Sequence, residues 1–193
     1  MSLTLNIHKG IFSLLGSGLV LSSILTENLF DEIHMQNYLM HQQTIWAIPL
    51  LFIIGWIFII VAIRTFDCSN LYNILYDKNS IIPIISIIII VVSTIILQQI
   101  EHSGTFQDVE KRKKYLTLIF SFIVLGFIIL SGTITYNSDK ISKTIFAFGG
   151  SFLTILGLLI IHNYQMPNGY INGPGIALLG LGLGFISLSI SIV

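Results

Sequence analysis

The sequence predicts an all-α, polytopic integral membrane protein: a bundle of about six transmembrane helices, or five if the first hydrophobic segment lies in the interface. Of the 193 residues, 54% are hydrophobic and only 9% are charged, whereas soluble domains carry about 25% charged residues. The hydrophobic residues form long stretches, close to the about 20 residues that a helix needs to cross a bilayer. Small residues recur within those stretches at helical spacing, as they do where membrane helices pack together.

Six hydrophobic segments are the predicted spans, within a single membrane domain over residues 1–193. They are residues 10–25, 45–64, 81–99, 115–136, 145–164 and 174–193. The first is the shortest, and His8 and Lys9 precede it in the way that basic residues precede the apolar core of a signal peptide. No cleavage site of the A-x-A type follows, so we interpret it as a retained helix. Pro83 falls in the first turn of the third span, where proline is tolerated.

Two connecting segments have the pattern of amphipathic helices that lie along the membrane surface. In residues 27–44, Leu29 and Ile33 belong to an apolar face with helical spacing. In residues 66–80, Tyr72 and Tyr76 suit the headgroup layer, where tyrosine is enriched. We therefore expect both segments to be interfacial helices.

Two stripes of small residues mark the last two spans. The stripe of the last span comprises Gly173, Ala177, Gly180, Gly184, Ser187 and Ser191. The stripe of the fifth comprises Ala147, Gly150, Thr154 and Gly157. Such stripes let two helix backbones approach closely, and a short turn joins the two spans, so we expect an antiparallel contact between them. The stripes fit packing within one chain, docking of a partner protein or a second copy, or a substrate path along the glycines.

The sequence predicts no catalytic residue, no cofactor and no metal site. The cores of the spans after the first contain no Asp, Glu, Lys, Arg or His, the residue types that mark proton relays and ion sites at membrane depth. Asp31, His34 and His41 are the weak metal candidates, because Asp31-x-x-His34 has the spacing of two ligands on one helix face. A polar stripe is also what any surface-lying helix has, which favours a solvated face.

A cluster of basic residues suggests a lipid contact, and the balance of charges over the whole chain argues against a nucleic-acid partner. Lys111, Arg112, Lys113 and Lys114 precede the fourth span, where they are expected to contact anionic lipid headgroups or to anchor that helix. The nine basic and nine acidic residues balance, so the chain lacks the excess positive charge that nucleic-acid binding uses.

These observations predict a non-enzymatic structural membrane protein, a subunit of a larger assembly such as a membrane-containing virion or an organellar membrane complex. Its partners would be membrane lipids and other proteins, or a second copy, bound through the small-residue faces. The isoleucine-rich composition is typical of AT-rich genomes, and it favours a viral internal membrane or an organellar inner membrane. The alternatives are a channel or carrier for a small neutral solute and a lipid-modifying enzyme that would use the polar stripe between residues 27 and 41.

Overall fold

A computed structural model describes residues 5–33, 38–63, 78–102, 109–136, 138–163 and 172–192, and the surroundings of the side chains in 5–26, 48–63, 81–97, 110–136, 138–162 and 172–192. These residues form six helices and, within the described ranges, no strand longer than a single bridge between Leu5 and Ile192. The helices are α1 (Ile7–Ile33), α2 (Tyr38–Ile63), α3 (Lys78–His102), α4 (Val109–Thr135), α5 (Ile141–Asn163) and α6 (Gly173–Ser191). The predicted all-α helical class is confirmed.

Four stretches of the described helices are long and apolar enough to cross a membrane. They are Ile7–Thr26, Glu110–Thr135, Ile141–His162 and Gly173–Ser191. Two shorter apolar stretches, Ile48–Ile63 and Ile81–Leu97, belong to α2 and α3. The first segment, whose ability to span was open in the sequence, is among the four. The chain therefore has the helices that membrane integration requires.

Most helices extend beyond the hydrophobic segment that predicts them, because adding a residue to an existing helix costs far less than starting one. Of the stretch 27–44, predicted as an interfacial helix, residues 27–33 belong to α1 and residues 38–44 to α2, and 34–37 lie outside the described residues. Of the second predicted interfacial segment, residues 66–77 lie outside the described ranges and 78–80 begin α3. Pro83 consequently lies in the second turn of α3 rather than in its first.

The chain divides into two compact units. One consists of Met1–Phe66 and Ile134–Val193; the other is Asp67–Thr133. In the second unit, α4 approaches α3 closely at Gly126, where a Cβ atom would lie 3.1 Å from the carbonyl oxygen of Ser86. Ser86 is buried, and its hydroxyl donates to the carbonyl of Pro83 at 2.7 Å. A glycine thus sets the distance between these two helices.

In the first unit, α1 and α6 are the central helices. The α1 helix contacts both α2 and α6, and α6 contacts both α1 and α5. The α1–α2 contact is tightest where Gly16 meets Gly55, since a Cβ on Gly55 would lie 2.7 Å from the carbonyl oxygen of Gly16. One turn away the rings of Phe12 and Phe58 stack with centroids 5.8 Å apart. The order of neighbours is therefore α2, α1, α6, α5.

Candidate functional site

The side of α6 that faces α5 is formed by Gly175, Leu179, Gly182 and Ile186. At Gly182 a Cβ atom would lie 2.6 Å from the carbonyl oxygen of Gly150 on α5. Two turns along, a Cβ on Gly157 would lie 2.6 Å from the backbone nitrogen of Leu179 and 2.7 Å from the carbonyl oxygen of Gly175. Real Cβ atoms essentially never come this close to backbone. The two helices are therefore at a separation that only glycine allows at these positions.

A second side of α6 faces α1 and is polar. The hydroxyls of Ser17 and Ser187 share a hydrogen bond of 2.7 Å. Ser13 donates to the carbonyl of Gly10 at 3.0 Å and lies 3.4 Å from that of Ser187, while Ser17 also lies 3.4 Å from the carbonyl oxygen of Leu183. All three serines are buried. Hydroxyls that would be costly to leave unpaired in an apolar environment thus join α1 to α6.

Two further hydrogen bonds fix the last turn of α6. The backbone N–H of Asn6, just before α1, donates to the carbonyl of Ser191 at 2.8 Å. The hydroxyl of Ser189 donates to the carbonyl of Lys143, in the first turn of α5, at 2.8 Å. The starts of α1 and α5 therefore lie at the same end of this unit as the end of α6.

Asn172 connects α5 and α6 at their other end. Its side-chain oxygen accepts from the N–H of Gly175 at 3.2 Å, which caps the start of α6. Its side-chain nitrogen donates to the carbonyl of Ile160, in the last turn of α5, at 2.9 Å. The residue is buried. One side chain thus satisfies backbone groups of two helix ends, which helices otherwise leave without partners.

The structure assigns the predicted small-residue stripes to different neighbours. On α5 the four residues of the predicted stripe, Ala147, Gly150, Thr154 and Gly157, are all buried. On α6 the predicted stripe does not face α5. Gly180 lies against Leu21 of α1, and Ser187 and Ser191 also face α1, at Ser17 and Gly10 respectively. Gly173 and Ala177 are exposed, and no described atom lies within 4 Å of a Cβ placed on Gly173 or Gly184.

Four glycines that make very close contacts lie outside the stripes predicted from the sequence. Gly175 and Gly182 form the α5-facing side of α6, and Gly16 and Gly55 form the α1–α2 contact. A signal was available for the first pair, because a seven-residue separation returns to the same helix face after two turns. No comparable signal pairs Gly16 with Gly55, because they lie in different helices and spacing within one helix does not show which residue of another helix it meets.

The remaining predicted residues are placed only in part. Asp31 lies in α1 and His41 in α2, but the surroundings of these two side chains are not among those that the structure describes. His34 lies outside the described residues. The metal hypothesis therefore stays a prediction. The basic residues 111–114 form the first turns of α4, where Lys111, Lys113 and Lys114 are exposed and Arg112 is half-buried.

The buried polar side chains share one chemical character. In the part of the chain with described side chains they are serine, threonine and Asn172, with no ionisable side chain among them. Several bond to their own helix, as Thr94 does to the carbonyl of Ile90 at 2.8 Å and Thr154 to that of Gly150 at 2.8 Å. The arrangement supplies hydrogen bonds between and within helices. It is the chemistry of helix packing.

Comparison with known proteins gives no match: no protein-family model, no curated protein and no solved structure resembles this chain.

Proposed function

We propose that this chain is a non-enzymatic structural subunit of a membrane assembly, and that one side of its α1–α6 pair docks an apolar transmembrane helix of another subunit. Its setting would be a membrane-containing virion or an organellar inner membrane, as the composition favours. The observation that carries the proposal is a pair of glycines, Gly18 and Gly184, which have open space around them in a unit whose α1–α2 and α5–α6 contacts both use glycine.

Gly18 and Gly184 lie on the same side of the pair. Ser17 and Leu183 are in contact across the two helices, and each glycine is the next residue along its chain. Because α1 and α6 are antiparallel, one step along each chain turns toward the same side of the pair. For a Cβ placed on either glycine, no described atom lies within 4 Å.

Leucines border these glycines. Leu14 precedes Gly18 by one turn and is 57% exposed, and Leu188 follows Gly184 by one turn and is 42% exposed. Side chains one turn apart lie on the same helix face. The surface is therefore a shallow depression at the glycines beside an apolar ridge, which is the shape that accepts a second helix at close range.

A helix is the occupant that the surrounding solvent favours. Lipid tails are as apolar as leucine, so apolar surface alone gives no drive to associate within the bilayer. Close van der Waals packing does favour association, and glycines make such packing possible because they let a partner backbone approach. The α5–α6 contact in this same unit shows how close an approach glycine allows.

The proposal is tested by purification from native membranes in a mild detergent, followed by native mass spectrometry. We expect the wild-type chain to be recovered with a second, different chain in fixed stoichiometry. The double variant Gly18→Leu/Gly184→Leu should lose that chain, because leucines fill the depression. The matched control is Gly149→Leu on α5, a glycine that also has open space around it and does not belong to the α1–α6 pair.

Several outcomes contradict the proposal. One is recovery of the wild-type chain as a lone, monodisperse species. Another is an oligomer of identical copies that the double variant dissociates, which would assign the surface to self-association. A third is loss of the partner in Gly149→Leu to the same degree as in the double variant, which would remove the assignment to the α1–α6 surface.

A further inference from the structure

Two helices of the first unit begin at the same end, and each has a lysine as its third residue. These are Lys9 of α1 (Ile7–Ile33) and Lys143 of α5 (Ile141–Asn163). The last turn of α6 joins the two starts through the bonds of Ser191 to Asn6 and of Ser189 to Lys143. Both lysines are half-buried. They therefore lie together at one boundary of the membrane-spanning stretches.

The electrostatics at this end are unfavourable for lysine. The charges that act on Lys143 are those of Lys9 and Lys140, both positive. Neither α1 nor α5 has an acidic residue in its first turn. The N-terminus of a helix carries about half a positive elementary charge, which stabilises anions and opposes cations. The described carboxylate nearest to these lysines in the sequence, Asp139, is exposed to solvent.

We propose that Lys9 and Lys143, with Lys140 beside them, bind the phosphate of an anionic lipid headgroup. An anion here is attracted by the ammonium groups and by the partial positive charge of two helix N-termini, although the N–H of Lys9 is already bonded to the side chain of Asn6. The lysines lie in the first turns of spanning stretches, the depth at which headgroup phosphates lie and to which lysine side chains extend. A lipid phosphate thus matches both the charge and the depth.

This inference does not depend on the proposed docking of a partner helix, because it uses a different surface. It also differs from the expected lipid contact of residues 111–114. Those residues belong mainly to an exposed surface at the start of α4, whereas Lys9 and Lys143 are half-buried and come from two different helices.

The experiment uses the full chain, purified in detergent and delipidated, with binding measured by native mass spectrometry. Phosphatidylglycerol and phosphatidylcholine are titrated separately, and the affinity for the first bound lipid is determined. We expect wild type to prefer phosphatidylglycerol. In Lys9→Gln/Lys143→Gln its affinity should fall about 30-fold, since each lysine near a lipid surface contributes about 1 kcal/mol and about 1.4 kcal/mol is a factor of ten.

Two further variants separate the site from general charge. Lys113→Gln/Lys114→Gln removes the same charge from two exposed lysines, which are themselves expected to contact headgroups, and it should lower the affinity for the first lipid much less than Lys9→Gln/Lys143→Gln does. Lys9→Arg/Lys143→Arg keeps both charges and should retain the lipid. In phosphatidylcholine nanodiscs the Lys9→Gln/Lys143→Gln variant should be at least as thermally stable as wild type, because it removes positive charge from two helix N-termini.

The proposal is overturned if wild type binds both lipids equally, or if the Lys9→Gln/Lys143→Gln variant binds phosphatidylglycerol as wild type does. It is equally overturned if Lys113→Gln/Lys114→Gln causes the same loss. Inorganic phosphate is the last arm: if it displaces the lipid at matched concentration, the ligand is free phosphate and not a headgroup. Retention of the lipid against inorganic phosphate supports the proposal.

Discussion

On the side of α6 that faces α5, glycine backbones pack directly against each other, whereas on the side that faces α1 serine hydroxyls form hydrogen bonds between the helices. The first contact rests on shape, since Gly150 and Gly182 leave no room for a side chain. The second rests on pairing, since Ser17 and Ser187 satisfy each other. Filling a close contact causes steric overlap, whereas removing a hydroxyl removes one modest interaction. The two sides should therefore differ in their sensitivity to substitution.

The largest effect is expected on the α5 side. In Gly182→Leu the new side chain would overlap the backbone at Gly150 and Thr154, and α5 and α6 would have to separate. Overpacking of this kind costs about 3 kcal/mol of unfolding free energy. The measurement is SDS-induced unfolding of the purified chain in mixed micelles.

The control for this variant lies two residues away on the same helix. Gly184→Leu places the same side chain into open space and should change the free energy of unfolding by less than about 0.5 kcal/mol. Equal destabilisation by the two variants would show that the close approach of α5 and α6 does not stabilise the unit.

An intermediate effect is expected where α5 and α6 are connected. Asn172→Ala removes the cap of α6, which contributes about 1 kcal/mol, and the bond to the carbonyl of Ile160, which adds about 0.5 kcal/mol. Asn172→Ser keeps an oxygen for the cap and should recover most of the loss. The same SDS titration measures both, and an equal loss in the two variants would argue against the cap.

The smallest effect is expected on the α1 side. Ser187→Ala removes the bond to Ser17 and should cost about 0.6 kcal/mol, the average for hydrogen bonds between membrane helices. A double-mutant cycle with Ser17→Ala isolates the shared bond. Ser121→Ala is the control, because that hydroxyl is exposed and bonds only within α4, to Thr117. A coupling energy between Ser17 and Ser187 that is larger than the loss of unfolding free energy in Gly182→Leu would reverse the comparison.

The sequence predicts the helices well and their contacts less well. Hydrophobic length is a property of each segment alone, so the six helices follow from it directly. The helical spacing of small residues also places Gly150, Thr154 and Gly157 on one face of α5. The partner of a face depends on which helix lies beside it, and spacing does not give that. The stripe containing Gly180 and Ser187 is an example, because it faces α1 although α5 is adjacent in the chain.

The candidate surfaces were predictable to different degrees. Gly184 belongs to a stripe recognisable in the sequence, but its open surroundings depend on the positions of α1 and α5. Lys9 and Lys143 lie 134 positions apart in the sequence, and only the bonds around Ser189 and Ser191 bring them to one end of the unit. Properties that arise from distant segments are visible only after folding.

The hydrogen bond between Ser17 and Ser187 spans 170 positions of the chain, and this separation has a consequence for biogenesis. Chains are made from the N-terminus at about 5–20 residues per second, so α1 leaves the ribosome well before α6, whose Ser187 pairs with Ser17. Until α6 arrives, α1 can pair with α2 but exposes hydroxyls to lipid or to the insertion machinery. Maturation of this unit therefore waits for its final helix, and the early hairpin is the intermediate that quality control would meet.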